Sequence, residues 1–198
     1  MIEAIIFDMG GVFFQKSQIL RTAVLDQYQV SEDWINQIKL LPAYHLYKQG
    51  LLSQDDFMRE VGPHLPPGAG HAEDLFRDLS MARDLNQALV DLAASLRTRY
   101  RIAVLSNSDS FLEERIERFG IADLFEFVIN SYRVRMRKPD QRIFQHLLNR
   151  IELDPEQILF VDDKPSNVSV ARELGLYGHV FSSTTGLNQD LREHGLLG

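Results

Sequence analysis

The sequence predicts an α/β fold: a parallel sheet covered by helices on both faces, with a smaller helical unit inserted after the first strand. Three observations carry this expectation. Short, almost purely apolar runs rich in Ile, Val and Phe recur along the chain, as strands buried on both faces do. Segments with apolar residues at helical spacing separate those runs. The stretch after the first run is long, helical in pattern and without a convincing strand.

Ala4–Phe7 (AIIF) is the first strand, ending in "DMGGV". From Gln15 to about Ser80 the strand rhythm stops. Helices are expected at Ile19–Tyr28 and Glu32–Ile38, and another begins at Ser53 as N-cap with Asp56 at N3. "GPHLPPGAG" (Gly62–Gly70) is a loop. This insertion is either a cap over the carboxyl edge of the sheet or an extra helical layer on one face. The cap reading divides the chain into a core of residues 1–14 and 81–198 and a cap of residues 15–80. Helices then follow at Leu85–Leu96, Asp109–Phe119, Gln141–Ile151 and Val168–Leu174. They alternate with strands at Ile102–Leu105, Phe125–Ile129 and Ile158–Val161, and a weaker one at Tyr177–Phe181. That alternation implies a parallel sheet with right-handed crossovers.

A chain of 198 residues, 44% hydrophobic, buries a substantial core. With Lys plus Arg 21, Asp plus Glu 28 and a net charge of −7, it is not a general binder of nucleic acid or anionic membrane. It has no cysteine, which excludes disulfides, thiolate catalysis and Cys-based metal sites. No apolar stretch approaches the roughly 20 residues of a membrane helix, and "MIEAIIFD" has no basic segment of a signal peptide. A cytoplasmic location is expected; the oligomeric state is left open.

Ligands of open α/β sheets bind beyond the carboxyl ends of the strands. Those ends carry Asp8, then Ser106-Asn107-Ser108-Asp109, then Asn130-Ser131 and "RVRMRKPD", then Asp162-Asp163. Any one of these is a common turn or capping residue. Together they gather carboxylates, a hydroxyl and a lysine at one edge. Carboxylates from different strands can hold a hard divalent cation, one can attack phosphorus, and hydroxyl, backbone N–H and lysine can stabilise the transferring oxygens. The shared chemistry is phosphoryl transfer. In an extended segment Arg133, Arg135 and Arg137 would share one face, a solvated face that can draw in an anionic substrate.

The four segments, in order, resemble the motifs of the haloacid dehalogenase superfamily, mostly phosphatases on a Rossmann-like core. The resemblance implies Asp8 in "IIFDMGGV" as nucleophile, Ser106 in "VLSNSD" and Lys138 in "MRKPD" as phosphate-binding groups with Asn107 beside them, and Asp162 and Asp163 in "FVDDKPSNV" as the metal pair. Asp8 and the carbonyl of Gly10 complete the implied Mg²⁺ site. The insertion matches the position of that superfamily's helical cap. The cap segment "YHLYKQGLLSQDDF" is similar to the branch of small sugar-phosphate phosphatases typified by bacterial α-D-glucose-1-phosphate phosphatase, with the phosphatase-like domain of soluble epoxide hydrolases as a related branch. Tyr44, His45, Tyr47 and Lys48 are candidates there for substrate contact.

The expectation is therefore a Mg²⁺-dependent phosphatase acting on a small phosphorylated metabolite, such as a hexose 1-phosphate, through an aspartyl-phosphate. One departure stands out. Phosphatases of the superfamily usually read Asp-x-Asp in the first motif, and here the second position is Gly10. The lost acid/base is worth about 10²–10⁴ in rate. Gly is also a feature of the glucose-1-phosphate phosphatase branch. The alternatives are a binding module with little turnover and, third, a metal-free dehalogenase.

Overall fold

A computed structural model describes residues 1–197. Its strands are β1 (Ala4–Phe7), β2 (Phe14–Lys16), β3 (Arg83–Leu85), β4 (Arg101–Ser106), β5 (Val128–Asn130), β6 (Ile158–Asp162) and β7 (Tyr177–Val180). The helices are α1 (Gln18–Gln27), α2 (Glu32–Leu40), α3 (Pro42–Lys48), α4 (Gln54–Val61), α5 (Ala72–Met81), α6 (Gln87–Leu96), α7 (Leu112–Arg118), α8 (Ser131–Val134), α9 (Gln141–Ile151), α10 (Pro165–Glu173) and α11 (Thr184–Glu193).

The apolar runs form one parallel sheet in the order β5-β4-β1-β6-β7. Side-chain alternation explains why these runs lack polar positions. On one face Ile5, Phe7, Ile102, Val104, Leu159 and Val161 join the apolar faces of α6, α7 and α11. On the other, Ala4, Ile6, Ala103, Leu105, Ile158 and Phe160 join α9 and α10. Every side chain of β1 is buried. The expected Phe125–Ile129 strand is shorter and later, because Ala122–Leu124 forms a 3-10 turn and only Val128–Asn130 pairs with β4.

The register positions the chemistry. Phe7 lies level with Val104 on one side and Val161 on the other. Asp8, Leu105 and Asp162, the next residue on each strand, therefore reach the carboxyl edge together.

The insertion is helical from α1 to α5 and has apolar clusters of its own. One gathers Leu25, Tyr28, Ile35, Leu75 and Leu79, the other Ile38, Tyr47, Phe57 and Val61. The Tyr47 and Phe57 rings stack with centroids 4.4 Å apart. Ser53 accepts from the Asp56 N–H at 3.1 Å, the expected cap. At its root, β2 and β3 pair antiparallel, placing Lys16 opposite Arg83. Strands of three residues carry too little periodicity to be read from sequence. No helix among the described residues is long and apolar enough to cross a membrane.

The alternation read for Arg133, Arg135 and Arg137 requires an extended segment, and this one is not. Ser131–Val134 is a helical turn and Arg135 sits at φ +55°. The Arg133 guanidinium turns back to donate to the Ser110 carbonyl at 3.2 Å.

Candidate active site

Lys138 is the centre of the site and is 2% exposed. Its ammonium donates to the Leu105 carbonyl at 2.6 Å and to Asp162 Oδ2 at 2.5 Å. It also lies 2.9 Å from Asp8 Oδ1, an ionic contact out of hydrogen-bond alignment. Such a cation is tolerable in the interior only because two carboxylates and a carbonyl surround it. The three groups come from β4, β6 and the end of β1, so the lysine joins the sheet's three central strands at their carboxyl ends.

Asn107 accepts from the Lys138 N–H at 2.8 Å and donates back to the Lys138 carbonyl at 2.8 Å. Its side chain therefore sets the lysine's backbone. Asp162 accepts from Lys138, from the Lys164 N–H at 2.8 Å, and from Asn167 Nδ2 at 3.0 Å on each oxygen. It is fully buried, and its oxygens are held by neighbours. Asn167 is absent from the sequence-based set; its position four residues after Asp163 in "DKPSN", on the first turn of α10, is the signal for it.

Asp163 is different. It is half-buried, and its Oδ1 is buried with no hydrogen-bond partner. Burial, then the Asp8 and Asp162 charges, push its carboxyl above the usual range. Oxygens of Asp8, Asp162 and Asp163 all lie within 4.8 Å of one another. Three carboxylates that close, with one lysine among them and an orphaned oxygen, form a hard-oxygen set suited to a divalent cation. Gly11 fits against this set: at φ +80° its missing Cβ leaves room for the Asp163 carboxylate, into which any side chain would collide.

Ser106 ends β4 and is 2% exposed. The loop after it is tied down by Asn130, whose Nδ2 donates to the Asp109 carbonyl at 2.9 Å, and by Ser131, which accepts from the Ser108 N–H at 3.1 Å. Gly10 is exposed, and a Cβ built on it meets nothing within 4 Å. The position has room for a side chain it does not carry.

The insertion meets this edge at the same loop. Tyr47 Oη lies 2.7 Å from Ser110 Oγ, and Lys48 Nζ donates to Asp109 Oδ2 at 3.3 Å. Burial pushes the Asp109 carboxyl up, but Lys48 and Arg115 outweigh it and hold the group well below the usual range. Of the insertion residues singled out from sequence, Tyr44, Tyr47 and Lys48 line a cavity of about 360 Å³ against this loop; His45 does not. A wider hollow of about 1140 Å³ opens at the amino ends of the strands, beside Ile2, Tyr100 and His179, and contains none of the converging residues.

The model of the haloacid dehalogenase-like hydrolases matches residues 2–175. The chain belongs to that family. It is 26% identical over 194 residues to a sesquiterpene phosphatase of Aspergillus oryzae, covering 96% of this chain and 95% of that protein. It is 24% identical over 184 residues to the D-ribitol-5-phosphate phosphatase of Bacteroides thetaiotaomicron, covering 88% and 89%. A HAD family enzyme from that bacterium, solved with magnesium and inorganic phosphate, superposes with a TM-score of 0.76 at 21% identity over 92% of this chain and 95% of that one. At that identity the likeness shows the fold: an α/β Rossmann-like core of the HAD type. The protein is a HAD-like hydrolase with named phosphatases among its relatives.

Proposed function

We propose that this hydrolase is a Mg²⁺-dependent phosphomonoesterase for small phosphorylated metabolites, sugar phosphates such as hexose 1-phosphates among them, and that the helical insertion, residues 15–80, is its cap. The observation behind this is the Lys138 cluster. It orients the Asp8 carboxylate at the sheet edge beside an unsatisfied Asp163 oxygen.

In this reading Asp8 attacks phosphorus. The bond to the leaving oxygen breaks as the Asp8–phosphorus bond forms, giving an aspartyl-phosphate that water then cleaves. Ser106 and Lys138 hold the transferring oxygens, with Asn107 fixing the lysine's main chain. Asp8, Asp163 and the Gly10 carbonyl would hold the cation, with Asp162 closing the cluster. The cation, when bound, offsets charge on the phosphoryl oxygens and between the carboxylates. Bound Mg²⁺ and phosphate in a structural neighbour support the choice of metal. Gly10 brings no proton to the leaving oxygen, which favours good leaving groups such as an anomeric oxygen.

Replacing Asp8 by Asn tests this directly. Turnover of a phosphomonoester panel in Mg²⁺ is expected to fall to background while the fold persists. Undiminished activity would remove Asp8 from its role. Gly10 also favours a second reading, a module that binds phosphorylated ligands without turning them over. Tight binding of Mg²⁺ and a sugar phosphate by the unaltered protein, with no phosphate released, would establish it instead.

A further inference from the structure

The cavity against the β4–α7 loop is strongly cationic. Lys16, Arg21, Lys39, Lys48 and Arg83 line it, against only Glu32 and Asp109. Both carboxylates are already engaged. Glu32 takes two bonds from the Arg21 guanidinium. Asp109 is shared by Lys48, Arg115 at 3.1 Å and Ser80. Among the described residues, Lys16, Lys39 and Arg83 have no carboxylate within 4.0 Å. Arg83 Nη1 reaches only the Ala82 and Leu79 carbonyls, and Lys39 only the Asn36 amide oxygen.

The placement of two of these cations is costly by itself. Lys16 and Arg83 stand directly opposite on the β2–β3 ribbon. Like charges in that position repel, and the usual cross-strand choice is a neutral or opposite-charge pair. Burial and the neighbouring cations lower the affinity of both Arg83 and Lys39 for their protons. An anion between them would reverse both costs. Asp109 lies three residues beyond Ser106, so chain geometry limits their Cα separation to about 11 Å. The cavity therefore shares the loop that follows Ser106.

We propose that this cavity receives a second anionic group of the substrate, a phosphate or carboxylate, held by Lys16, Lys39 and Arg83. The preferred substrates are then phosphomonoesters with a second negative group several bonds from the one hydrolysed: sugar bisphosphates or phosphorylated sugar acids. This rests on the phosphatase reading, and deepens it by naming the substrate class.

Matched pairs test it. kcat/KM is measured for glucose 1-phosphate against glucose 1,6-bisphosphate, and for glycerol 3-phosphate against 3-phosphoglycerate. In the unaltered enzyme the doubly anionic member of at least one pair is expected to be favoured about tenfold or more. Lys39→Met and Lys16→Gln are expected to bring that ratio towards one. These are used beside Arg83→Met because Arg83 also supports the ribbon. Which pair responds tells phosphate from carboxylate. Ratios at or below one in both pairs, or a ratio the variants leave in place, would overturn the proposal. Calorimetry on Asp8→Asn protein separates this from the parent reading. Tighter binding of glucose 1,6-bisphosphate than of glucose 1-phosphate, weakened by adding Lys39→Met, supports the cavity even if no turnover is found. Equal binding refutes it.

Discussion

At the carboxyl edge of the sheet, three carboxylates cluster with a single lysine that contacts two of them; in the insertion's cavity, five cations face two carboxylates. The first is buried, with Asp8, Asp162 and Lys138 nearly inaccessible to water, while the second is open enough that Lys16 is exposed and the other four cations are half-buried. At the buried edge a purely structural ion network would come close to balance, because buried unpaired charge costs several kcal/mol. These two stop short of balance in opposite senses. One is rich in carboxylates and the other in cations, and they meet at a single loop, Ser106 to Phe111. The contrast is the one expected of the proposed metal-assisted phosphatase for a doubly charged ester.

Removing the one cation of the carboxylate-rich edge should have the largest effect. Lys138→Met leaves Asp8 and Asp162 buried without their counter-ion. A loss of about 3–5 kcal/mol in urea unfolding is expected, together with loss of activity. A change under 1 kcal/mol would mean that the edge balances without Lys138. Adding a carboxylate sharpens the contrast from the other side. Gly10 has space for a side chain, and Gly10→Asp supplies the missing acid/base. Turnover of esters with poor leaving groups is expected to rise about 10²-fold; unchanged turnover would mean another group already moves the proton. The smallest effect belongs to the metal alone. Mg²⁺ at ten times its Kd should stabilise the protein by about 1.4 kcal/mol, read as a rise in Tm that EDTA reverses. Asp163→Asn should abolish that rise. A rise that persists would place the cation away from Asp163.

The strand ends were legible because the sheet is buried on both faces. Apolar runs such as AIIF and ILFV announce their own termini, and Asp8 and Asp162 stand out as the first polar residues after or at them. Lys138 needed the family's motif order, since nothing local to "RKPD" says that the lysine is buried. The division of labour within the acidic pair was hidden, because it depends on Asn167 and the Lys164 N–H enclosing one aspartate and not the other. The cationic cavity was hidden for a related reason. Lys16 and Arg83 lie far apart in sequence and become neighbours only through a three-residue ribbon too short to predict. The arginine alternation misled because it presumes an extended backbone, and Arg135 takes a left-handed one.

The order of the strands also sets when the site can exist. β1 is made before the other strands, yet its two sheet partners are β4 and β6, with Ala4 aligned to Arg101 on one side and to Ile158 on the other. The helical insertion, whose apolar clusters draw on nearby residues, can gain order during synthesis; the sheet must wait for its distant partners. Until β6 arrives, Lys138 has no Asp162 to bind and Asp8 has no partner strand on that side. A nascent chain therefore carries Asp8 long before it carries the site around it.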